Sequence, residues 1–77
     1  MSPKPLDDQF PGRPLRIAAV EGQRAVRRRL LELGLLPGTD LQLIRKSKLA
    51  GTIELEIRCC RFTLSLEQAH RVLVHAR

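Results

Sequence analysis

The sequence predicts a mainly β fold with some helix: a small barrel of about five short strands with one longer and one short helix. Three observations predict it. Apolar and polar residues alternate with period two over residues 15–19, 41–43, 53–57 and, in shifted phase, 62–64, which is the pattern of strands with one buried and one wet face. Tight stops at Gly22, Gly34, Pro37–Gly38 and Gly51 leave room only for short connections. One stretch, residues 23–33, carries apolar residues at helical spacing.

Residues 1–14 hold four of the five prolines, mixed with Lys4, Asp7, Asp8 and Gly12, and show no periodicity. They read as a flexible N-terminal arm preceding a domain over 15–77; Phe10, a large apolar residue, could tuck against the barrel, but a solvated tail is the expectation. The first strand places Leu15, Ile17 and Ala19 on one face and Arg16 and Ala18 on the other, and ends at Glu21 and Gly22. In the helix that follows, Val26, Leu30 and Leu33 fall at i, i+4 and i+7 and are expected to lie on the sheet. Arg24, Arg27 and Arg28 then point away, with Leu31 projecting among them.

Gly34 supplies the positive φ that closes a helix, and Leu35 after it is placed to pack back on Leu30. Pro37 and Gly38 have the chemistry of a type II turn, and Leu41 and Leu43 alternate with Asp40 and Gln42 in the strand beyond. Residues 46–51 form a loop. Ile53, Leu55 and Ile57 share one parity, Phe62 and Leu64 the other, so the chain bends or bulges over 58–61 in a hairpin tip. Ser65 and Gln68 have capping-box spacing and open a short helix through about Arg71, and 72–74 make the last strand. Strands this short, joined this tightly, suggest an SH3-like barrel closed so that few edges remain. Its single core is expected to gather Leu15, Ile17, Val26, Leu30, Leu33, Leu41, Leu43, Ile53, Leu55, Ile57, Phe62, Leu64, Val72 and Val74.

Seventy-seven residues make one domain, which buries only about 60% of its unfolded surface and leaves little room for a large catalytic cleft. Tyr and Trp are absent, so aliphatic side chains must fill the core. The net charge of +6 favours acidic partners: nucleic acid, an anionic membrane surface or an acidic protein face. No window is apolar enough to span a membrane, and residues 1–8 lack a signal-peptide core, so a cytoplasmic protein is expected. The adjacent Cys59 and Cys60 make a poor disulfide framework and suit a reducing compartment.

No Ser/His/Asp set, paired carboxylates or phosphate-cradling glycine loop is present, and the chain is not read as an enzyme. Cys59, Cys60, His70 and His75 are the candidate metal ligands, four nitrogen and sulfur donors of the kind zinc prefers. Their spacing argues against one site, since neighbouring strand residues point to opposite faces and both thiols could join only in a turn. No cofactor is expected beyond an adventitious or regulatory divalent ion. Arginines on a short helix ordinarily serve as a solvated face, but with Leu31 among them the cluster has the make-up of an interface centre, unless the N-terminal arm folds over Leu31, which explains the pattern equally well; Arg24, Arg27, Arg28 and Leu31 are the candidate partner-binding residues. Nucleic acid is the alternative partner, favoured by Arg45, Lys46 and Lys48 as well, but no aromatic platform for stacking bases is visible.

The run RRRLLELGLLPGT resembles the signature of the small ferrous iron transport A proteins (FeoA), and residues 53–58, 61–64 and 67–74 (EQAHRVLV) resemble that family's hairpin, closing helix and last strand. The resemblance implies an SH3-like cytoplasmic adaptor that docks on the GTP-hydrolysing cytoplasmic domain of a ferrous iron transporter, with self-association as a further expectation. A related barrel forms the C-terminal domain of some metal-dependent repressors, which makes a metal-responsive regulatory domain a second alternative. Where relatives carry a Leu-Gly-Asp-Pro style turn, this chain reads Leu49, Ala50, Gly51, Thr52, and where they carry glycine and an aromatic it has Cys59 and Cys60.

Overall fold

In the computed structural model, which describes residues 2–77, the alternating runs become strands and the helical spacing a helix. In chain order these are β1 (Lys4–Pro5), a 3₁₀ turn (Leu6–Asp8), β2 (Pro14–Val20), α1 (Arg24–Glu32), β3 (Asp40–Ser47), β4 (Thr52–Ile57), β5 (Cys60–Ser65), α2 (Leu66–His70) and β6 (Val72–Ala76). All pairings are antiparallel, in the order β1-β6-β2-β3-β4-β5. The fold is the expected small SH3-like one, with a difference: β1 and β5 remain edges, so the sheet curls without closing. Register shifts between Ile17 and Ala19 and between Leu43 and Arg45 place one extra residue in each of β2 and β3, which bends those strands. α2 then packs against β4, β5 and β6, bridging the strands at the unclosed side.

The central stretch behaves as its residues dictate. Gly34 has φ 101°, its N–H donates to Leu31 O at 3.0 Å, and the Leu35 N–H donates to Leu30 O at 3.2 Å. Those are the two bonds of a Schellman stop, and Leu30 and Leu35, the pair it brings together, are both fully buried. Gly38 has φ 88°, and Thr39 N–H donates to Leu36 O at 3.0 Å across the Pro37–Gly38 turn. The turn is stitched to β2 by Gly38 N–H on Ile17 O at 2.7 Å and Ile17 N–H on Thr39 O at 2.9 Å. Ser65 caps α2 with a reciprocal box: Gln68 N–H donates to Ser65 Oγ and Ser65 N–H to Gln68 Oε1.

The parity slip between β4 and β5 needs no bulge. Ile57 pairs with Cys60, Leu55 with Phe62 and Ile53 with Leu64, so a two-residue turn of Arg58 and Cys59 accounts for the change of phase. Both turn residues have positive φ, 52° and 67°, the geometry that suits the right-handed twist of a hairpin and is ordinarily supplied by Asn-Gly. Here it is imposed on two residues with side chains, at a cost of roughly 1–2 kcal/mol each.

Three expectations about packing are corrected. Residues 4–8 are not a free arm: Lys4 and Pro5 pair with Val74 and Leu73, and Leu6 is fully buried in the core. The Lys46 ammonium donates to Asp7 O at 2.6 Å, and Gly12 N–H donates to Leu43 O at 3.0 Å, holding the segment along its length. Met1, the first residue of the expected arm, lies outside the described residues. Phe10, as the solvated reading has it, is 70% exposed, with Lys46 Nζ 5.9 Å from its ring centroid, and Leu6 takes the buried place. In β2 the extra residue at Ala18 reverses the phase, so Val20 enters the core and Ala19 stays half-buried.

The third correction concerns α1. Leu30 alone of its residues is buried; Val26 is 38% and Leu33 44% exposed, while Leu31 is half-buried and packed against the core. Phe62 is likewise half-buried rather than central. The reason lies in the Schellman stop, which ties Leu30 to the buried Leu35 and so fixes the rotation of the helix. With Leu30 inward, Arg27 and Leu31 complete the sheet-facing side, and Val26 and Leu33 are carried to a flank. Ala69, from α2, belongs to the same buried cluster.

Candidate docking site

Helix α1 positions most of the candidate residues, and its rotation decides what each can do. Arg27 is exposed, as expected, but its Nε donates to Val20 O at 3.1 Å, which ties the side chain to β2. Leu31 was expected at an exposed centre and is largely covered. Arg24 and Arg28 are exposed as expected, and Arg28 spends part of its charge on Glu32, with Nε 3.3 Å from Oε1. The side chains that remain available are different ones: Val26, Arg29 and Leu33 on the helix flank, followed by Leu36, 45% exposed, at the entry to the Pro37–Gly38 turn. Sequence spacing held the clue, because Val26, Arg29 and Leu33 lie at i, i+3 and i+7; what it lacked was the rotation.

Beside this flank runs a groove of about 580 Å³, walled by Gln23, Val26 and Arg29 of the α1 side and by Glu67, Gln68 and Arg71 of the α2 side. Gly22 precedes the α1 wall with φ 115°, a left-handed conformation that favours glycine, and the Arg71 stem lies beside it, with Cδ 3.4 Å from where a Cβ would stand. Among the described residues neither Arg29 nor Arg71 takes part in an ion pair. A second cleft, at Arg45, Lys46, Thr52 and Glu54, is more self-satisfied: Arg45 faces Glu54 at 3.7 Å and Lys46 is tied to Asp7.

The candidate metal ligands are not assembled. Cys59 and Cys60 are exposed thiols at the hairpin tip, His70 closes α2 with Nδ1 3.2 Å from Asp7 Oδ1, and His75 is exposed on β6. Among the described residues no three His, Cys, Asp or Glu side chains come together in a group that could hold a metal ion. One carboxyl group is perturbed by its surroundings: the hydrogen bond from Arg16 Nε at 2.9 Å, aided by the charges of Arg16 and Arg77, holds Asp40 below the usual carboxylate range. It braces β2 to β3 and lies outside the groove. No helix among the described residues is long and apolar enough to cross a membrane.

Fold and surface together define a small SH3-like domain whose available chemistry is an aliphatic flank set among arginines. The FeoA domain profile matches residues 4–76, and the chain belongs to the FeoA family, whose members serve ferrous iron transport. Its fold is similar to the crystal structure of an iron uptake regulatory protein (FeoA), with 27% identity, a TM-score of 0.88 and all of both chains covered. It is also similar to the solution structure of FeoA from Chlorobium tepidum, with 30% identity and a TM-score of 0.82 over 94% of this chain and 69% of that one. A manganese-dependent transcriptional repressor, in complex with manganese, shares the fold at 17% identity and a TM-score of 0.91, this chain covering 37% of that one. No curated protein matches the chain.

Proposed function

We propose that the chain is a cytoplasmic adaptor of ferrous iron transport that docks on the GTP-hydrolysing cytoplasmic domain of the transporter and supports its activity. The observation that carries this is the uncovered flank of α1, where Val26 and Leu33, with Leu36 after them, stay at the surface of a chain too small to waste apolar area. Aliphatic side chains in a rim of Arg24, Arg28 and Arg29 have the composition of a protein interface: apolar contact at the centre and charge at the edge to speed encounter. A nucleic-acid surface would need phosphate contacts and gain nothing from the leucines, and with Tyr and Trp absent there is no stacking platform.

The test is a titration of the chain against the transporter's cytoplasmic domain and against generic duplex DNA at two salt concentrations, with GTP hydrolysis followed in parallel. The adaptor reading expects saturable binding to the domain that survives the higher salt and a change in hydrolysis on saturation. Binding to duplex alone, with the steep salt dependence of phosphate neutralisation, would reassign the chain to nucleic acid.

A further inference from the structure

We propose that the groove between α1 and α2 is the seat of an acidic, aliphatic-bearing segment of the protein partner, its carboxylates held by Arg29 and Arg71 and its apolar side chain laid on Val26. This deepens the docking function above and rests on it. Arg29 and Arg71 line one groove, and neither has a carboxylate partner among the described residues; Arg16, Arg28, Arg45 and Arg61 each have one, and the other arginines without an ion pair, Arg13, Arg24, Arg27 and Arg58, do not line this groove. Glu67 is the only acidic side chain on the groove walls, so the groove keeps a net positive charge.

Arginine in this position favours a planar carboxylate, which it can grip through two parallel N–H donors. Arg71 is also partly pre-set: its stem lies over Gly22, and Glu21 N–H donates to Arg71 O at 2.7 Å, so the residue that bears the charge is fixed at its root. Val26 gives the α1 wall an aliphatic surface, and Leu33 and Leu36 extend exposed aliphatic surface beyond it along the chain. A proline-rich ligand, the usual guest of an SH3 groove, would need aromatic rails; Tyr and Trp are absent and neither phenylalanine lines this groove. What fits is a segment alternating Asp or Glu with Leu or Val.

The experiment measures affinity of the wild type, the charge reversals Arg29→Glu and Arg71→Glu, Val26→Asp, and the control Arg45→Glu on the second cleft. Three probes are used: the transporter's cytoplasmic domain, a synthetic peptide rich in glutamate and leucine, and duplex DNA, with a melting curve for each variant. The expected result is that the combined Arg29→Glu, Arg71→Glu variant and Val26→Asp each weaken binding of domain and peptide at least about thirtyfold, while Arg45→Glu stays within about threefold and all variants melt like the wild type. If the domain binds but the groove variants bind it as well as the wild type does, the seat is elsewhere and this inference falls alone. If the peptide binds in the groove and the domain does not bind at all, the transporter reading falls and the acidic-segment chemistry stands. Failure of the peptide to bind overturns the acidic-segment chemistry, and groove-dependent binding of duplex alone overturns it in favour of nucleic acid.

Discussion

On helix α1 the side facing the sheet, Arg27, Leu30 and Leu31, and the flank beside it, Val26, Arg29 and Leu33, carry nearly the same residue types in different surroundings. Each has one arginine and two aliphatic side chains. On the inner side Arg27 donates to Val20 O and Leu30 is fully buried; on the flank Arg29 has no ion pair among the described residues and Val26 and Leu33 meet solvent. The difference comes from a single backbone event, the Schellman stop at Gly34, which sets the rotation of the helix. A leucine here is buried or left at the surface according to which side that stop assigns it, not according to its hydrophobicity.

The comparison breaks most severely at Leu30. Leu30→Ala empties a fully buried site and should cost about 2–5 kcal/mol, comparable with the whole stability of so small a domain; urea unfolding measures it. Gly34→Ala tests the device that sets the rotation. Nothing lies within 4 Å of a Cβ at that position, so its expected loss of about 1–2 kcal/mol is conformational and not steric. A Gly34→Ala protein as stable as the wild type would show that the stop does not hold the helix. Val26→Ala and Leu33→Ala sharpen the contrast, since at 38% and 44% exposure each should change stability by no more than about 0.5 kcal/mol while weakening the partner.

Acid gives the smallest expected effect, and it separates fold from flank. The Asp40 carboxyl group is held below its ordinary range, chiefly by the Arg16 hydrogen bond, so it contributes stability above the unfolded-state pKa of about 4 and loses it as pH falls through the lower folded value. Asp40→Asn should therefore flatten the acid limb of the stability curve and leave neutral-pH affinity for the partner unchanged.

Much of the fold was legible because its local signals agree with one another. Gly34, Pro37–Gly38 and the Ser65–Gln68 box each name their own backbone geometry, and alternation named every long strand. The inner side of α1 was not legible, because Val26, Leu30 and Leu33 form as good a stripe as Leu30, Leu31 and Leu35, and only the latter includes a residue beyond the helix end. Val20 was hidden by a bulge, which shifts phase without changing composition. The strap at residues 4–8 carries one apolar anchor, Leu6, and a two-residue strand too short to show a period. For the candidate docking site, sequence and structure direct attention to the same helix but to different residues: Leu31 is half-buried and Arg27 is tied to β2, while Val26, Arg29 and Leu33 are exposed. Arg71 joins them from 42 residues after Arg29 along the chain, a juxtaposition only the fold provides.

Whether a partner sits on the outward flank of α1 can be read residue by residue from amide chemical-shift mapping. The isotopically labelled chain is titrated with the unlabelled transporter cytoplasmic domain. The account predicts that the largest perturbations cluster at Val26, Arg29, Leu33, Leu36 and Arg71, with Arg45, Lys46 and the Arg58–Cys59 turn unmoved. Perturbations centred on Arg45–Ser47 or on the hairpin tip, with the α1 flank silent, would contradict it.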